Sequence, residues 1–437
     1  MEKPSFREAF KFWLKLGFIS FGGPAGQIAI MHQFLVEKKK WISESKFLHA
    51  LNYCMMLPGP EAQQLATYSG WLLHGTRGGI AAGALFILPS VFILLGLSIV
   101  YVEYGKIEWV SALFNGLKPA VVAIVVVALI KISKKSLLLN MHWLIAVMAF
   151  ILIFFFKISF PVIILGTILF GISAIKLFPR MTKPAEKEKK ISEESEKEYC
   201  INKFSPPPSS ELTLARITGK LTAAILFWLL PVGAVYLLFP DFQFWKSLIL
   251  FFTKAAFVTF GGAYAVLPYV AQVSVEKFHW LSQLEMIDGL ALGETTPGPL
   301  IMVLAFVGFM AGHHHFSSVA FAAGGLAVTA YYTFLPSFFF ILIGAPLIEK
   351  TQHSIRVKSV LGCVTAAVTG VVLNLAVYFA EAVIFPSGIS FEAVNYFAGI
   401  WLIVSFVAMK YFKMEMILWI GISAAAGLAE YFLLKII

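Results

Sequence analysis

Four short stretches of the chain set helix-breaking residues beside residues that bind ions. They are Phe21-Gly22-Gly23-Pro24, Pro58-Gly59-Pro60-Glu61, Phe260-Gly261-Gly262, and Glu294-Thr295-Thr296-Pro297-Gly298-Pro299. Proline lacks a backbone N–H and clashes with the preceding turn, and glycine frees the backbone angles, so each stretch should unwind a few residues of helix. A helix that restarts after such a break offers bare N–H groups and the positive end of its dipole, which favours an anion. Polar side chains gather at the breaks. Glu61, Gln63, Gln64 and Thr67 accompany the first Pro-Gly-Pro, and Glu294, Thr295 and Thr296 precede the second. Lys15 and Lys254 stand about two turns before the glycine pairs and are candidate anion contacts. Arg77 offers a planar fork that suits a tetrahedral oxyanion.

The elements that must position these breaks follow from composition. Of 437 residues, 59% are hydrophobic, 15% aromatic and 13% charged. A soluble domain carries roughly 25% charged residues. A globular cytosolic enzyme, a secreted disulfide scaffold and a disordered chain are therefore excluded. The apolar runs are continuous rather than alternating, which argues against a membrane β-barrel. An all-α polytopic membrane protein remains. The net charge of +10 would suggest nucleic acid in a soluble protein. Here the basic residues sit in short loops between apolar runs, as topology signals and lipid headgroup contacts do. Membrane lipids, and not nucleic acid, are the expected partners. Cys54, Cys200 and Cys363 are spaced for neither a disulfide framework nor a metal site. The stretch from Met1 to Lys15 lacks a cleavage site of small residues, so the first apolar run is expected to be retained.

Runs of about 20 apolar residues can cross a hydrocarbon core of ~30 Å. They lie near 8–31, 48–72, 79–102, 110–131, 137–156 and 159–178, then 219–240, then 247–271, 286–311, 317–347, 359–383, 393–412 and 415–435. That predicts about 13 spans. A charged stretch ending in Pro206-Pro207-Pro208 reads as a solvated linker. The expected divisions are a first repeat at 1–178, a linker at 179–218, a linking transmembrane helix at 219–245 and a second repeat at 246–437.

The two groups of six runs are copies. A shift of 239 carries Phe21-Gly22-Gly23 onto Phe260-Gly261-Gly262, Trp41 onto Trp280, and Pro58-Gly59-Pro60 onto Pro297-Gly298-Pro299. About 15 of the 46 positions from Lys15 to Pro60 agree without a gap, far beyond chance. Leu88-Pro89-Ser90 matches Leu335-Pro336-Ser337 after a short insertion. An odd number of crossings separates the copies, so the second should be inverted. Loop charge agrees: Lys131, Lys134 and Lys135 face a nearly uncharged counterpart, while Lys350, Arg356 and Lys358 answer the mixed Glu103, Lys106 and Glu108. Lys38, Lys39 and Lys40 fall on the wrong side. Either Glu37 and Glu44 neutralise them, or one of the first two runs is re-entrant.

Paired broken helices in two inverted halves point to a transporter site at the repeat interface. A break in lipid survives only where it is packed in protein or lines a wet cavity. Asp288 and Glu285 read as loop-side charges, and Lys118 stands inside a span without an assigned role. His313-His314-His315 reads as a loop rather than a metal site, because adjacent histidines do not converge on one ion. No phosphate-cradling Gly-x-x-x-x-Gly-Lys stretch, Gly-x-Ser-x-Gly or His-Glu-x-x-His is present, so ATP drive within this chain and membrane-enzyme chemistry are not expected. No cofactor is expected.

The sequence resembles the chromate ion transporter family in its long, two-domain form. The carrying segments are Phe21-Gly22-Gly23-Pro24-Ala25-Gly26-Gln27, Pro58-Gly59-Pro60-Glu61-Ala62-Gln63-Gln64-Leu65-Ala66, His74-Gly75-Thr76-Arg77-Gly78-Gly79, Phe260-Gly261-Gly262-Ala263-Tyr264 and Glu294-Thr295-Thr296-Pro297-Gly298-Pro299. The resemblance implies a secondary transporter that exports chromate across a prokaryotic inner membrane and confers chromate resistance, with sulfate as a close analogue. The residues by themselves say small anion. A sulfate permease and an anion channel stay open, and the chain itself is a candidate partner in a homodimer.

Overall fold

The computed structural model describes residues 3–177, 198–202, 204–205, 214–348, 355–386, 388, 390 and 394–436. Most of the expected linker lies outside the described residues. The first half contains α1 (Phe6–Ile19), α2 (Gly23–His32), α3 (Glu44–Cys54), α4 (Glu61–Tyr104), α5 (Glu108–Ser136), α6 (Asn140–Phe154) and α7 (Phe160–Leu177). The linking helix is α8 (Leu214–Leu238). The second half contains α9 (Phe242–Val258), α10 (Ala263–Gln272), α11 (Gln283–Thr295), α12 (Val303–Phe316), α13 (Val319–Ile348), α14 (Ile355–Ile384), α15 (Tyr396–Lys410) and α16 (Met416–Ile436). Six helices among the described residues are long and apolar enough to cross a membrane. The protein is an all-helical, multi-span membrane protein.

The runs near 8–31 and 48–72 do not continue through their breaks as single spans; the chain doubles back. Lys39 Nζ lies 3.0 Å from Glu8, and the Phe12 and Phe34 rings are 5.5 Å apart, so α1 and α2 run antiparallel. In the second half Phe251 meets Tyr269 at 5.4 Å and Trp280 at 5.6 Å, which folds α10 back beside α9. Tyr53 on α3 meets Tyr68 on α4 at 5.9 Å. A Cβ on Gly289 of α11 would strike the Phe306 ring of α12. Each glycine or proline break is therefore the tip of a helical hairpin. The physical reason is backbone sign and length. Gly22 and Gly23 have φ of 87° and 69°, and two successive left-handed residues turn the chain around. An arm of 14 residues such as α1 is about 21 Å long, too short for a core of ~30 Å.

A further reversal lies inside α4. His74 and Gly75 leave helical geometry, and Gly75 has φ 63°. The two arms pack so closely that a Cβ on Gly70 would collide with the Gly78 carbonyl oxygen. The equivalent turn joins α12 to α13, where Gly308 faces Gly325. At the outer ends of the hairpins, helix starts are capped by side chains: Ser5, Ser43, Asp241 and Ser282 each accept a backbone N–H. His315 donates to Asp241 at 2.7 Å, and that bond holds the Asp241 carboxyl below its usual range. The core is centred on α14, whose buried face from Cys363 to Phe379 packs on α5, α6 and α7 from the first half and on α10 from the second. Within the expected linker, Ile201 is buried and pairs with Ile42 in a parallel bridge, with Ser43 N donating to Ile201 O at 2.8 Å.

Candidate functional site

The four hairpin tips meet. Gly298 N, on the tip between α11 and α12, donates to Ser20 O on the tip between α1 and α2 at 2.7 Å. Gly59 N, between α3 and α4, donates to Thr259 O, between α9 and α10, also at 2.7 Å. The shift of 239 maps Ser20 onto Thr259 and Gly59 onto Gly298, so the two contacts are counterparts. Gln27 Nε2 adds a bond to Gly298 O, and Ser90 Oγ donates to Pro297 O. A Cβ on Gly59 would stand 2.5 Å from Ser337 Oγ, and one on Gly298 would collide with Ser90 Oγ. Gly59 and Gly298 have φ of 123° and 102°. Both the backbone sign and the close approach demand glycine here.

The helices that restart at the tips differ from those that start at the ends of the hairpins. The caps at Gly22, Pro60, Gly262 and Pro299 contribute no side-chain hydrogen bond. No side chain among the described residues thus caps the leading N–H groups at these tips, and free N–H groups with aligned dipoles hold anions. Buried polar atoms without a hydrogen-bond partner among the described residues gather here too: Ser20 Oγ, Gln27 Oε1, Gln63 Oε1, Gln64 Oε1 and Ser337 Oγ. Such atoms are costly to bury unpaired and so mark a place for water or a ligand.

Two carboxylates border the tips. Glu294 is 4% exposed and accepts from Tyr264 Oη at 2.6 Å. Glu61 is the first residue of α4, and its Oε1 would lie 3.9 Å from a Cβ on Gly262. The repeat does not copy these acids. Glu61 corresponds to Leu300, Glu294 to Met55 and Tyr264 to Ala25. Exposure is unequal as well. Gly22, Ala25 and Ala29 are exposed, whereas their counterparts Gly261 and Tyr264 are half-buried and Pro268 is buried.

Most of the expected residues are brought together: Gly22, Gly23, Pro58 to Glu61, Gln63, Gln64, Gly261, Gly262 and Glu294 to Pro299. Gln63 Nε2 bonds Thr67 Oγ1 at 3.0 Å and Gln64 Nε2 bonds Pro58 O at 2.7 Å. Thr295 and Thr296 turn their hydroxyls back to Leu292 O. Three cations stand apart. Lys15 is exposed over the Phe34 ring at 5.7 Å, Lys254 is exposed, and Arg77 lies exposed beside the outer turn of α4. His313 to His315 form the last turn of α12, with His314 on Glu285 and His315 on Asp241; no metal-holding group exists among the described residues. Asp288, expected near a loop, is instead buried at 4% and faces Lys118. Sequence reasoning missed Ser20, Gln27, Ser90, Thr259, Tyr264 and Ser337. Their signal was the repeat itself, which aligns Ser20 with Thr259 and Ser90 with Ser337.

Helical hairpins whose tips meet inside a multi-span protein define a transporter-like membrane fold rather than an enzyme cleft. The chain belongs to the chromate transporter family, whose model matches residues 7–172 and 246–428. It is 31% identical over 407 residues to a chromate transport protein of Pseudomonas aeruginosa, covering 89% of this chain and 87% of the relative. It is 26% identical over 379 residues to a chromate transport protein of Cupriavidus metallidurans, covering 86% and 82%. An uncharacterized transporter of Bacillus subtilis is 26% identical over 196 residues, which is 44% of this chain but 99% of the relative. No solved structure matches. The protein is therefore a secondary transporter of that family, multi-pass in the prokaryotic inner membrane, and not an enzyme.

Proposed function

We propose that the protein exports chromate, a tetrahedral dianion, from the cytoplasm by alternating access at the meeting point of the four tips. The observation that carries this is the set of uncapped helix starts beside unpartnered buried polar atoms, on hairpins that touch across the two halves. Sulfate shares the shape and charge of chromate, so competition between the two in inverted vesicles separates a chromate exporter from a sulfate permease.

In this reading the halves are inverted repeats, 1–178 and 246–437, joined by the linker 179–218 and the linking helix 219–245, which as α8 begins earlier, at Leu214. The second arm of α4, α5 and α8 are long enough to cross, and the shorter α6 and α7 lead over and back as a pair, so the number of crossings between the two hairpin sets is odd. The half-length relative from Bacillus subtilis supports one half as the unit. The hairpin ends of the first half then share a face with Lys38, Lys39, Lys40, Arg77, Lys131, Lys134 and Lys135. The opposite face mixes Glu103, Lys106, Glu108, Lys157, Asp241, Glu276 and Lys277. The basic face is cytoplasmic by the positive-inside bias. Re-entry, the second of the two alternatives, accounts in this reading for the position of Lys38 to Lys40, and neutralisation by Glu37 or Glu44 is not needed. The exposed α2 arm marks the cytoplasmic way in, and its buried counterpart α10 the closed outer side.

An inside-negative potential is worth ~2.3 kcal/mol per charge per 100 mV. A dianion leaving the cell gains about 4.6 kcal/mol at 100 mV, enough for a gradient of roughly a thousandfold. Glu61 and Glu294 repel a dianion unless protonated or turned away, which gates entry. The test is chromate flux in vesicles under an imposed potential with no pH gradient; flux indifferent to the potential would remove this energetic scheme.

A further inference from the structure

The tips leave one buried ionic group unused. Lys118 on α5 lies 3.6 Å from Asp288 on α11, with the side chains 14% and 6% exposed, the most buried ion pair among the described residues. Tyr101, on the second arm of α4, donates to Asp288 Oδ2 at 2.9 Å. Asp288 Oδ1 has no hydrogen bond, and Lys118 Nζ donates to Asn115 Oδ1 at 3.2 Å. An ion pair inside a membrane protein is a poor way to gain stability, because desolvation offsets the attraction, so its retention points to work done by the charges.

Its placement says which work. The pair ties α4 and α5 of the first half to α11, the arm whose other end is the Pro297–Pro299 tip locked on Ser20. A pocket of about 70 Å³ reaches the Lys118 side of the pair, lined by Asn115, Lys118, Leu284, Pro386, Asn395 and neighbours, with Asp288 behind Lys118 rather than in the wall. Pro386 and Asn395 are exposed in the loop between α14 and α15, on the face opposite Lys38 to Lys40. The repeat does not copy the group, since His49 stands where the shift would place a second Asp288.

We propose that Lys118, Asp288 and Tyr101 form a proton-binding lock, separate from the tips and open to the outer face, that couples proton entry to movement of α11. The proposal rests on the transport reading of the tips. One proton passes from pocket water, past the Lys118 ammonium that stands between the pocket and the carboxylate, to Asp288; Lys118 keeps its charge, loses its counter-ion, and stays on Asn115 and the pocket. With the pair broken, α11 and its tip are released from α5. Few other charged groups compete for Asp288. Glu285, one turn earlier on α11, is taken by His314 of α12 at 3.3 Å. His313 of α12 flanks His314. On α14, Tyr378 and Glu381 line a different pocket with Glu276. On α16, Tyr431 and Lys435 bind Glu108, and Glu430 is half-buried beside them.

The test uses the purified full chain with chromate as the probe. Tracer exchange in liposomes at equal pH and zero potential reads the tips. Acceleration of net flux by a pH gradient reads the coupling. Infrared difference spectra on acidification read the carboxyl with no transport needed. Asp288→Asn should still exchange tracer, lose the pH acceleration by about tenfold, and lose one protonated-carboxyl band. A pH response or band that survives in Asp288→Asn overturns the lock. Should that variant fail to fold around a lone ammonium, Lys118→Met combined with Asp288→Asn removes both charges, and a pH response retained there overturns it equally. Wild-type protein without tracer exchange would count against the oxyanion reading alone, because the infrared band still decides on Asp288.

Discussion

Gly59 and Gly298 carry the tightest constraint at the level of single residues. Each combines a left-handed φ with a neighbour where a Cβ would sit, Ser337 for the first and Ser90 for the second. Gly59→Ala and Gly298→Ala should each cost about 1–3 kcal/mol of stability, read by thermal unfolding in detergent, and cut tracer chromate exchange by about tenfold or more. Gly399 is helical with open space around it, so Gly399→Ala should change neither. Equal behaviour of the three variants would mean the tips are not a tight junction. Glu294→Gln keeps an oxygen to accept the Tyr264 hydroxyl but removes the charge. The fold should survive while exchange changes by about tenfold. Unaltered transport in Glu294→Gln would take the carboxylate out of the gate.

The hairpin is the element that decides the architecture. If α1 and α2 continued as one helix, Glu8 and Lys39 would lie about 46 Å apart; they are an ion pair at 3.0 Å. The double variant Glu8→Cys with Lys39→Cys, in a chain freed of its own cysteines, should be joined by a short bis-maleimide that bridges the length of the two side chains, visible as a gel shift. Failure of that reagent to join them would argue for a crossing span. The apolar pattern of 8–31 reads equally well as one span or as two arms, because both place an apolar face outward at helical spacing. What separates them is the conformation of Gly22 and Gly23. A glycine pair permits a reversal without demanding one.

Across the whole molecule, the arrangement makes two statements about sidedness. Lys39→Cys and Lys134→Cys should label with an impermeant maleimide from the cytoplasmic face, and Lys157→Cys and Lys277→Cys from the other. Labelling of all four from one side would end the inverted-repeat reading. The unequal exposure of the α2 and α10 arms adds a finer expectation. Ala25→Cys should react from the cytoplasm several times faster than Tyr264→Cys reacts from either side, at about the ratio their burial implies.

The amino-acid order alone determined the solvent and the repeat. Continuous apolar runs can be buried only in lipid or protein, and a 239-residue shift that superimposes Phe-Gly-Gly and Pro-Gly-Pro is visible without coordinates. It also showed which residues break helices, since proline and glycine act locally. It did not show where the chain goes after a break, or that Ser20 meets Gly298 and Gly59 meets Thr259. Nor did it show that Asp288 turns inward to Lys118. Those are contacts between residues more than 150 positions apart. Only packing of the two halves against each other chooses among the directions that a broken helix leaves open.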